Sequence, residues 1–348
     1  MRWLLIFATL VVMLPLFGDD IIQRVGSDTQ VLKVEAIGTE TYKEVSYKLG
    51  GTFQKMSADT IIDIKRDKAS LVYQSAEDLR SQGNYAEALK KYEAVLARED
   101  AEAWEKVYAG YYKAFCLRML GTVEPAKFRD AIKSFKEFEE KNKEHRLVPF
   151  SLLGRGIAAI GAGDWGEATD AFTKLSSGEY GSYWKVIGKY WLGEIGYRKN
   201  ELENAIRIWA EIVTEADRMG IKDVRAKYEL VLALREIEKG NLAKAEQGLS
   251  KIVEMGLGGM EPTVGYEVMA KAHKGLGDCY YKEAGSDKAK MRQALFEYLK
   301  VILLYSLSKP EYIHSLQMAI EISKKLGTDD DIKRVDELNR ELLKAKGS

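Results

Sequence analysis

The residues Gly161-Ala162-Gly163-Asp164-Trp165-Gly166 satisfy G-x-G-x-x-G letter for letter. That pattern lets a backbone approach a pyrophosphate when it follows a strand and opens a helix. Here a helical stretch precedes it, and GDWGEAT aligns with GNYAEAL and GNLAKAE elsewhere in the chain, so the glycines have a sufficient cause as a turn between helices. Three histidines, His145, His273 and His314, stand far apart with no cysteine or carboxylate at ligand spacing, which gives no support for zinc; they read as surface or groove residues. Asp329-Asp330-Asp331 lacks the glycine and distal glutamate of a calcium loop and reads as the cap of the helix that follows. No G-x-S-x-G elbow, P-loop or H-E-x-x-H occurs. The expectation is a chain with no catalytic residue, no cofactor and no metal.

What the sequence does contain is a returning helical unit. Six strings, GNYAEALKKYEAVL, KFRDAIKSFKEFE, GDWGEATDAFTKL, NELENAIRIWAEIV, GNLAKAEQGLSKIV and MRQALFEYLKVIL, carry the alanine-x3-bulky pairs Ala88/Tyr92, Ala131/Phe135, Ala168/Phe172, Ala205/Trp209, Ala245/Leu249 and Ala294/Tyr298. Repetition at this period means stacked hairpins, each burying its apolar face against the next. The expected turns within hairpins are Gly83-Asn84, Gly121, Gly163-Asp164, Lys199-Asn200, Gly240-Asn241 and Gly285-Ser286, with Gly327-Thr328 opening a degenerate seventh hairpin and a Lys- and Glu-rich cap. Proline costs about 3 kcal/mol inside a helix, and Pro125, Pro149, Pro262 and Pro310 fall in expected connections. Cys116 and Cys279 hold the same place in the first helices of the second and sixth units. Equivalent positions four repeats apart cannot reach the roughly 6 Å of a bridged pair, so both read as free and buried.

Residues 29–65 differ in texture. TQVLKVEAIG, TYKEVSYKLG, TFQKM and TIIDIKR are short and rich in Val, Ile, Thr and aromatics, with Val45, Tyr47 and Leu49 alternating against Glu44, Ser46 and Lys48, the pattern of half-buried strands. Gly50-Gly51 supplies the positive φ angles of a two-residue hairpin turn. Three or four strands are expected, leaning on the first helical repeat or on a partner.

At the N-terminus Arg2 precedes an apolar run from Trp3 to Leu14, followed by Pro15, Gly18 and two acids. This reads as a secretory signal over residues 1–18, the run being shorter than the roughly 20 residues of a spanning helix; an uncleaved anchor is the alternative. The organisation is therefore 1–18 signal, 19–67 β-rich module and 68–348 helical repeats, with an exported, periplasmic or envelope-associated mature form and no stable membrane span. Lys and Arg number 53 and Asp and Glu 53, leaving no global field to draw nucleic acid.

The repeating unit resembles the tetratricopeptide repeat (TPR), best in LGDCYYKEAG at 276–285 and WLGEIGYRKNELENAIRIW at 191–209, and the resemblance covers residues 69–346. It implies a mainly α fold, a right-handed α-α superhelix preceded by the small antiparallel β module, whose first helices line a groove that binds a protein or peptide partner. Extended to matching positions, it gives the groove candidates Tyr73, Glu77 and Arg80; Tyr111, Phe115 and Arg118; Tyr190, Glu194, Tyr197 and Arg198; and Lys271, Lys274, Asp278, Tyr281 and Lys282. The alternative for each is packing between neighbouring helices. Asp278 stands where the chaperone-binding subgroup has asparagine, so a carboxylate clamp is not implied. What the resemblance implies is protein binding without a reaction; joined to the signal segment, it gives the expectation of a non-catalytic scaffold of the bacterial cell envelope, with a self-assembling component or an accessory subunit of an envelope enzyme as the alternatives.

Overall fold

A computed structural model describes residues 20–24, 30–256 and 265–347. The signal reading and Pro262 lie outside the described residues. The chain forms two compact units, residues 1–188 and 189–348, the boundary falling inside one helix.

Among its described residues the N-terminal unit has six strands ahead of the helices, two more than the most that the sequence suggested: β1 (Asp20–Arg24), β2 (Gln30–Val34), β3 (Ala36–Glu40), β4 (Glu44–Leu49), β5 (Thr52–Ser57) and β6 (Ile61–Lys65). They make two three-stranded antiparallel sheets, ordered β2-β1-β6 and β3-β4-β5. Gly50 and Gly51 have φ of 61° and 81°, and Leu49 faces Thr52 across the turn, as a two-residue hairpin requires. The inward members of the alternation, Val45 and Tyr47, meet Ile22, Val34, Ile37, Ile61 and Ile64 in one small core.

Six helices follow in this unit and a seventh begins: α1 (Leu71–Ser81), α2 (Tyr85–Ala97), α3 (Ala103–Gly121), α4 (Ala126–Lys141), α5 (Val148–Ala162), α6 (Trp165–Leu175) and α7 (Ser182–Arg198). The C-terminal unit continues from α7 with α8 (Leu202–Arg218), α9 (Lys222–Glu238), α10 (Leu242–Gly256), α11 (Tyr266–Ala284), α12 (Lys288–Leu304), α13 (Lys309–Leu326) and α14 (Asp329–Gly347). Taken in pairs, the described helices are seven hairpins, and each expected turn falls between the two helices of a pair or at the end of the first. Gly163 reaches φ 73° before Asp164, whose side chain accepts from Glu167 N–H at the start of α6; the G-x-G-x-x-G segment is a helix stop followed by an N-cap. Asn200, with φ 61°, does the same work without being glycine. Thr328 and Asp331 bond reciprocally at the head of α14, the capping-box arrangement. Pro149 and Pro310 lie in the first turns of α5 and α13 rather than before them, where the missing N–H costs nothing.

The alanine-x3-bulky pairs form the core. Ala88, Tyr92, Ala131, Phe135, Ala168 and Phe172 in one unit, and Ala205, Trp209, Ala245, Leu249, Ala294 and Tyr298 in the other, are wholly buried, each large apolar side chain contributing about 1.5–3 kcal/mol. The bulky member sits on a small residue of the preceding helix: Phe172 on Gly156, Trp209 on Gly193, Tyr298 on Gly277. Cys116 and Cys279 are free and buried, and burial pushes their thiols up to about 12 and about 11. Among the described residues no helix is long and apolar enough to cross a membrane.

A methyl added at Gly193 would lie 2.6 Å from Trp209 Cε2. Gly193→Ala is expected to lower the unfolding free energy by about 1–3 kcal/mol, seen as a lower urea midpoint with an unchanged slope.

Candidate functional site

In the N-terminal unit the β module is seated on α3 by one buried carboxylate. Glu40, at the end of β3, accepts from the Tyr108 hydroxyl at 2.5 Å, from Arg146 Nε at 3.0 Å and from Arg66. Arg66 follows β6, Tyr108 lies on α3 and Arg146 lies between α4 and α5, so three separate segments converge on one group. Burial raises the Glu40 pKa, but the Arg146, His145 and Arg66 charges outweigh it and hold the carboxyl below its ordinary range. Backbone pairing continues the contact: Thr41 bridges His145, and Tyr42 N–H donates to Glu144 C=O at 2.8 Å. Glu105 accepts from Ser70 N–H, and Tyr112 lies 3.5 Å from Asp63 Oδ1. The face of α3 that carries Glu105, Tyr108 and Tyr112 is therefore covered by the module and the linker after it.

His145, expected at the surface or in the groove, is set against the Glu40 seat instead. It lies edge-on to Tyr108 and Phe138, and burial pushes its pKa down to about 4 despite the Glu40 charge. His273 is buried, 2.7 Å from Glu297 and stacked on Tyr305, and His314 points at Asp278. Each had looked isolated because its partner is remote in sequence.

Beside the seat, β6 and α1 enclose a cavity of about 310 Å³ lined by Ile64, Arg66, Tyr73, Glu77, Arg80 and Trp104, among others. All three α1 candidates line it. Tyr73 is buried edge-on to Tyr92 and Trp104, with centroids 6.1 and 5.3 Å away. Glu77 accepts from Arg80 and from the Tyr92 hydroxyl, and the Arg80 guanidinium stands 4.1 Å over the Tyr112 ring. Across the cavity Arg66 stacks on Trp104 at 5.2 Å. The α3 candidates divide. Tyr111 packs against Phe135 and Phe138 of its own hairpin, the packing alternative, and burial pushes its hydroxyl up to about 12. Phe115 meets Tyr85 and Tyr112 and lies under the Arg118 guanidinium at 5.0 Å.

In the C-terminal unit the remaining candidates form two linked clusters. Trp209 Nε1 donates to Tyr190 C=O at 3.0 Å, and the Tyr190 and Tyr197 rings both lean on the Trp209 ring. Buried Glu194 accepts from Arg198 at 2.8 Å and pairs with Lys227 Nζ at 3.2 Å. Lys227 and Lys271 stand 5.3 and 4.9 Å from the Tyr197 centroid, two cations on one ring. On α11, Asp278 accepts from Lys274 at 2.6 Å, from the Tyr298 hydroxyl at 2.7 Å and from His314 at 3.2 Å. Burial raises its pKa, and these three donors more than reverse the effect. Tyr281 bonds Glu321 and Lys325; Lys282 is exposed.

The residues not anticipated are Arg66 and Trp104, Lys227, and the Tyr92 and Tyr298 hydroxyls. The last two carried a signal: where the bulky residue of the second helix is tyrosine, the first helix has an acid after its small residue, Ala76-Glu77 and Gly277-Asp278. Among the described residues no group of His, Cys, Asp or Glu is gathered as for a metal ion.

Glu40→Ala leaves Arg66 and Arg146 facing a void and is expected to cost about 3–5 kcal/mol. Combined with Tyr108→Phe it should cost less than the sum of the single changes, a coupling that a double-mutant cycle in urea measures. His145 also sets a pH dependence. Its folded pKa, about 4, is below the ordinary 6.5, so the unfolded chain binds the extra proton and stability falls as pH drops from 6.5 to 4. Glu139, raised to about 7 chiefly by burial, acts oppositely, losing stability as pH rises through 7. His145→Gln should therefore lose less stability than wild type between pH 7 and pH 5, measured by unfolding at both.

Comparison with known proteins gives one family match, the tetratricopeptide repeat, over residues 73–107. No curated protein matches the chain. Among solved structures the chain is similar to a tetratricopeptide repeat protein from Parabacteroides merdae, at 16% identity over 78% of this chain and 97% of that one with a TM-score of 0.45. It is also similar to BtubC from P. vanneervenii, at 12% identity over 71% and 92% with a TM-score of 0.40. The matched segment spans α1, α2 and the start of α3, and includes the Tyr73, Glu77 and Tyr92 cluster. The chain thus carries a tetratricopeptide repeat at residues 73–107, the first of seven helical hairpins among the described residues.

Proposed function

We propose that the protein is a non-catalytic scaffold of the bacterial cell envelope that binds an extended segment of a partner protein. The observation that carries this reading is the cavity between β6 and α1. It is lined by aromatic rings and arginines, the side chains that most often anchor protein interfaces, and the β module and the repeats each supply part of its wall. Glu77 and Arg80 neutralise each other there, so the cavity suits an apolar or aromatic side chain with a polar flank better than a fully charged one. Export rests on the apolar N-terminal run and its flanks.

Deleting the β module would be a poor test, because it would strip Tyr108 and Arg146 of the carboxylate that they surround. Point changes on the cavity wall remove neither Glu40 nor any of its three donors. Trp104→Ala and Gln74→Trp, the second filling the cavity from α1, are expected to reduce partner capture from an extract of the protein's own envelope at least tenfold, with the helical circular-dichroism signal preserved. Capture unchanged by both would remove the cavity from the account.

A further inference from the structure

The sheet β3-β4-β5 has two edges, and the chain treats them differently. Its β3 edge is continued by the protein's own Thr41–His145 bridge and the Tyr42–Glu144 bond. Among the described residues its β5 edge ends the sheet. Five of the six β5 residues are exposed, Phe53 at 66%. The two-residue turn fixes which groups are free. Leu49 and Thr52 close the hairpin, so Thr52, Gln54 and Met56 bond back to β4, and the Ala58 N–H to Lys43 C=O bond of 3.1 Å keeps the same phase. The backbone groups of Phe53 and Lys55 consequently point outward along the edge.

We propose that β5 is a self-pairing edge, joining β5 of a second copy antiparallel about a two-fold axis at Gln54 so that the two sheets run on as one. In this register the strand is complementary to itself. With Gln54 opposite Gln54 of the second copy, Phe53 faces Lys55 on both sides of the axis, and the outward groups of these residues exchange four backbone hydrogen bonds. Lys48, opposite Phe53 on β4, and Lys55 already have Glu35 and Glu44 as ion-pair partners, so the lysine of the second copy comes beside the Phe53 ring without opposing an unpaired like charge. Centring the pair one residue later would set Lys55 against Lys55, which is unfavourable. A six-residue edge buries less than a standard stable interface, so the association is weak and concentration-dependent. It lies in the β module and is independent of the cavity reading.

The register makes the test specific. Gln54 and its symmetry mate form a non-hydrogen-bonded pair with Cα atoms about 4.5 Å apart, within disulfide reach, whereas Lys55 and its mate are diagonal neighbours at about 7–8 Å, beyond it. The native cysteines are buried and give a quiet background. Under mild oxidation the full-length Gln54→Cys protein should convert mainly to a disulfide-linked dimer, and Lys55→Cys should remain at monomer mass. Separately, Lys55→Pro, which removes an outward N–H while leaving the bonds to β4, should abolish any rise of weight-average mass with concentration seen for wild type, with the circular-dichroism spectrum unchanged. A Gln54→Cys protein that stays monomeric, or a Lys55→Cys protein that cross-links as readily, would overturn the proposal.

Discussion

A carboxylate taken out of water must be surrounded, and the architecture of the N-terminal unit follows from how Glu40 is surrounded. One oxygen meets Tyr108 of α3 and Arg146 from the loop before α5; the other meets Arg66 from the end of β6. None of the three groups is near Glu40 in sequence, so the contact forms only when the β module lies on the second hairpin. Removing any one leaves a charge in a poorly solvated place, which makes the arrangement close to all-or-none. Its consequences are spatial. The Glu105, Tyr108 and Tyr112 face of α3 is covered, the β3 edge is closed by the helical part of the same unit, β6 is brought beside α1 to make the cavity, and β5 is left at the rim.

The repeats rely on a second device that is local to each hairpin. A bulky residue of the second helix rests where the first helix has glycine or alanine, and the close approach that this allows gives the hairpin its core. Tyrosine in that place adds a polar end. Tyr92 reaches Glu77 and Tyr298 reaches Asp278, and each acid then gathers a cation, Arg80 in one case and Lys274 in the other. Packing and the charged first-helix faces are thus one feature viewed from two ends. The polar groups that look available for a partner are already held in position by the core.

Much of the helical part could be read from sequence because its signals are local. Gly83, Gly163 and Gly240 stop helices through backbone geometry, Asn84 and Asp164 restart them by capping, and the Ala88/Tyr92 type of pair marks the buried stripe. The site was legible only in part. Tyr111 and Tyr112 are adjacent and about 100° apart on a helix, and nothing in their chemistry says which faces its own hairpin; Tyr111 does, and Tyr112 lies with Arg80 and Asp63. Arg66 reads as a charge in a linker until β6 and α1 bring it to Trp104. Strand β1 has no signal of its own, because Asp20–Arg24 is too short to show a pattern beside the apolar run and its flanks, and its partners in β2 and β6 are set by pairing. His145 reads as a surface or groove residue for the same reason: its cover is made by β3, over a hundred residues earlier.

The β module and the first hairpins thus form one cooperative body knit at Glu40. Native-state hydrogen exchange is the measurement that decides this. The core amides of β4, such as Val45 and Tyr47, should exchange with the same opening free energy and the same denaturant dependence as the amides around Tyr108 in α3, because neither element opens without the other. Amides of the β module that exchange through a separate opening, cheaper than that of α3 and insensitive to substitution at Glu40, would contradict it.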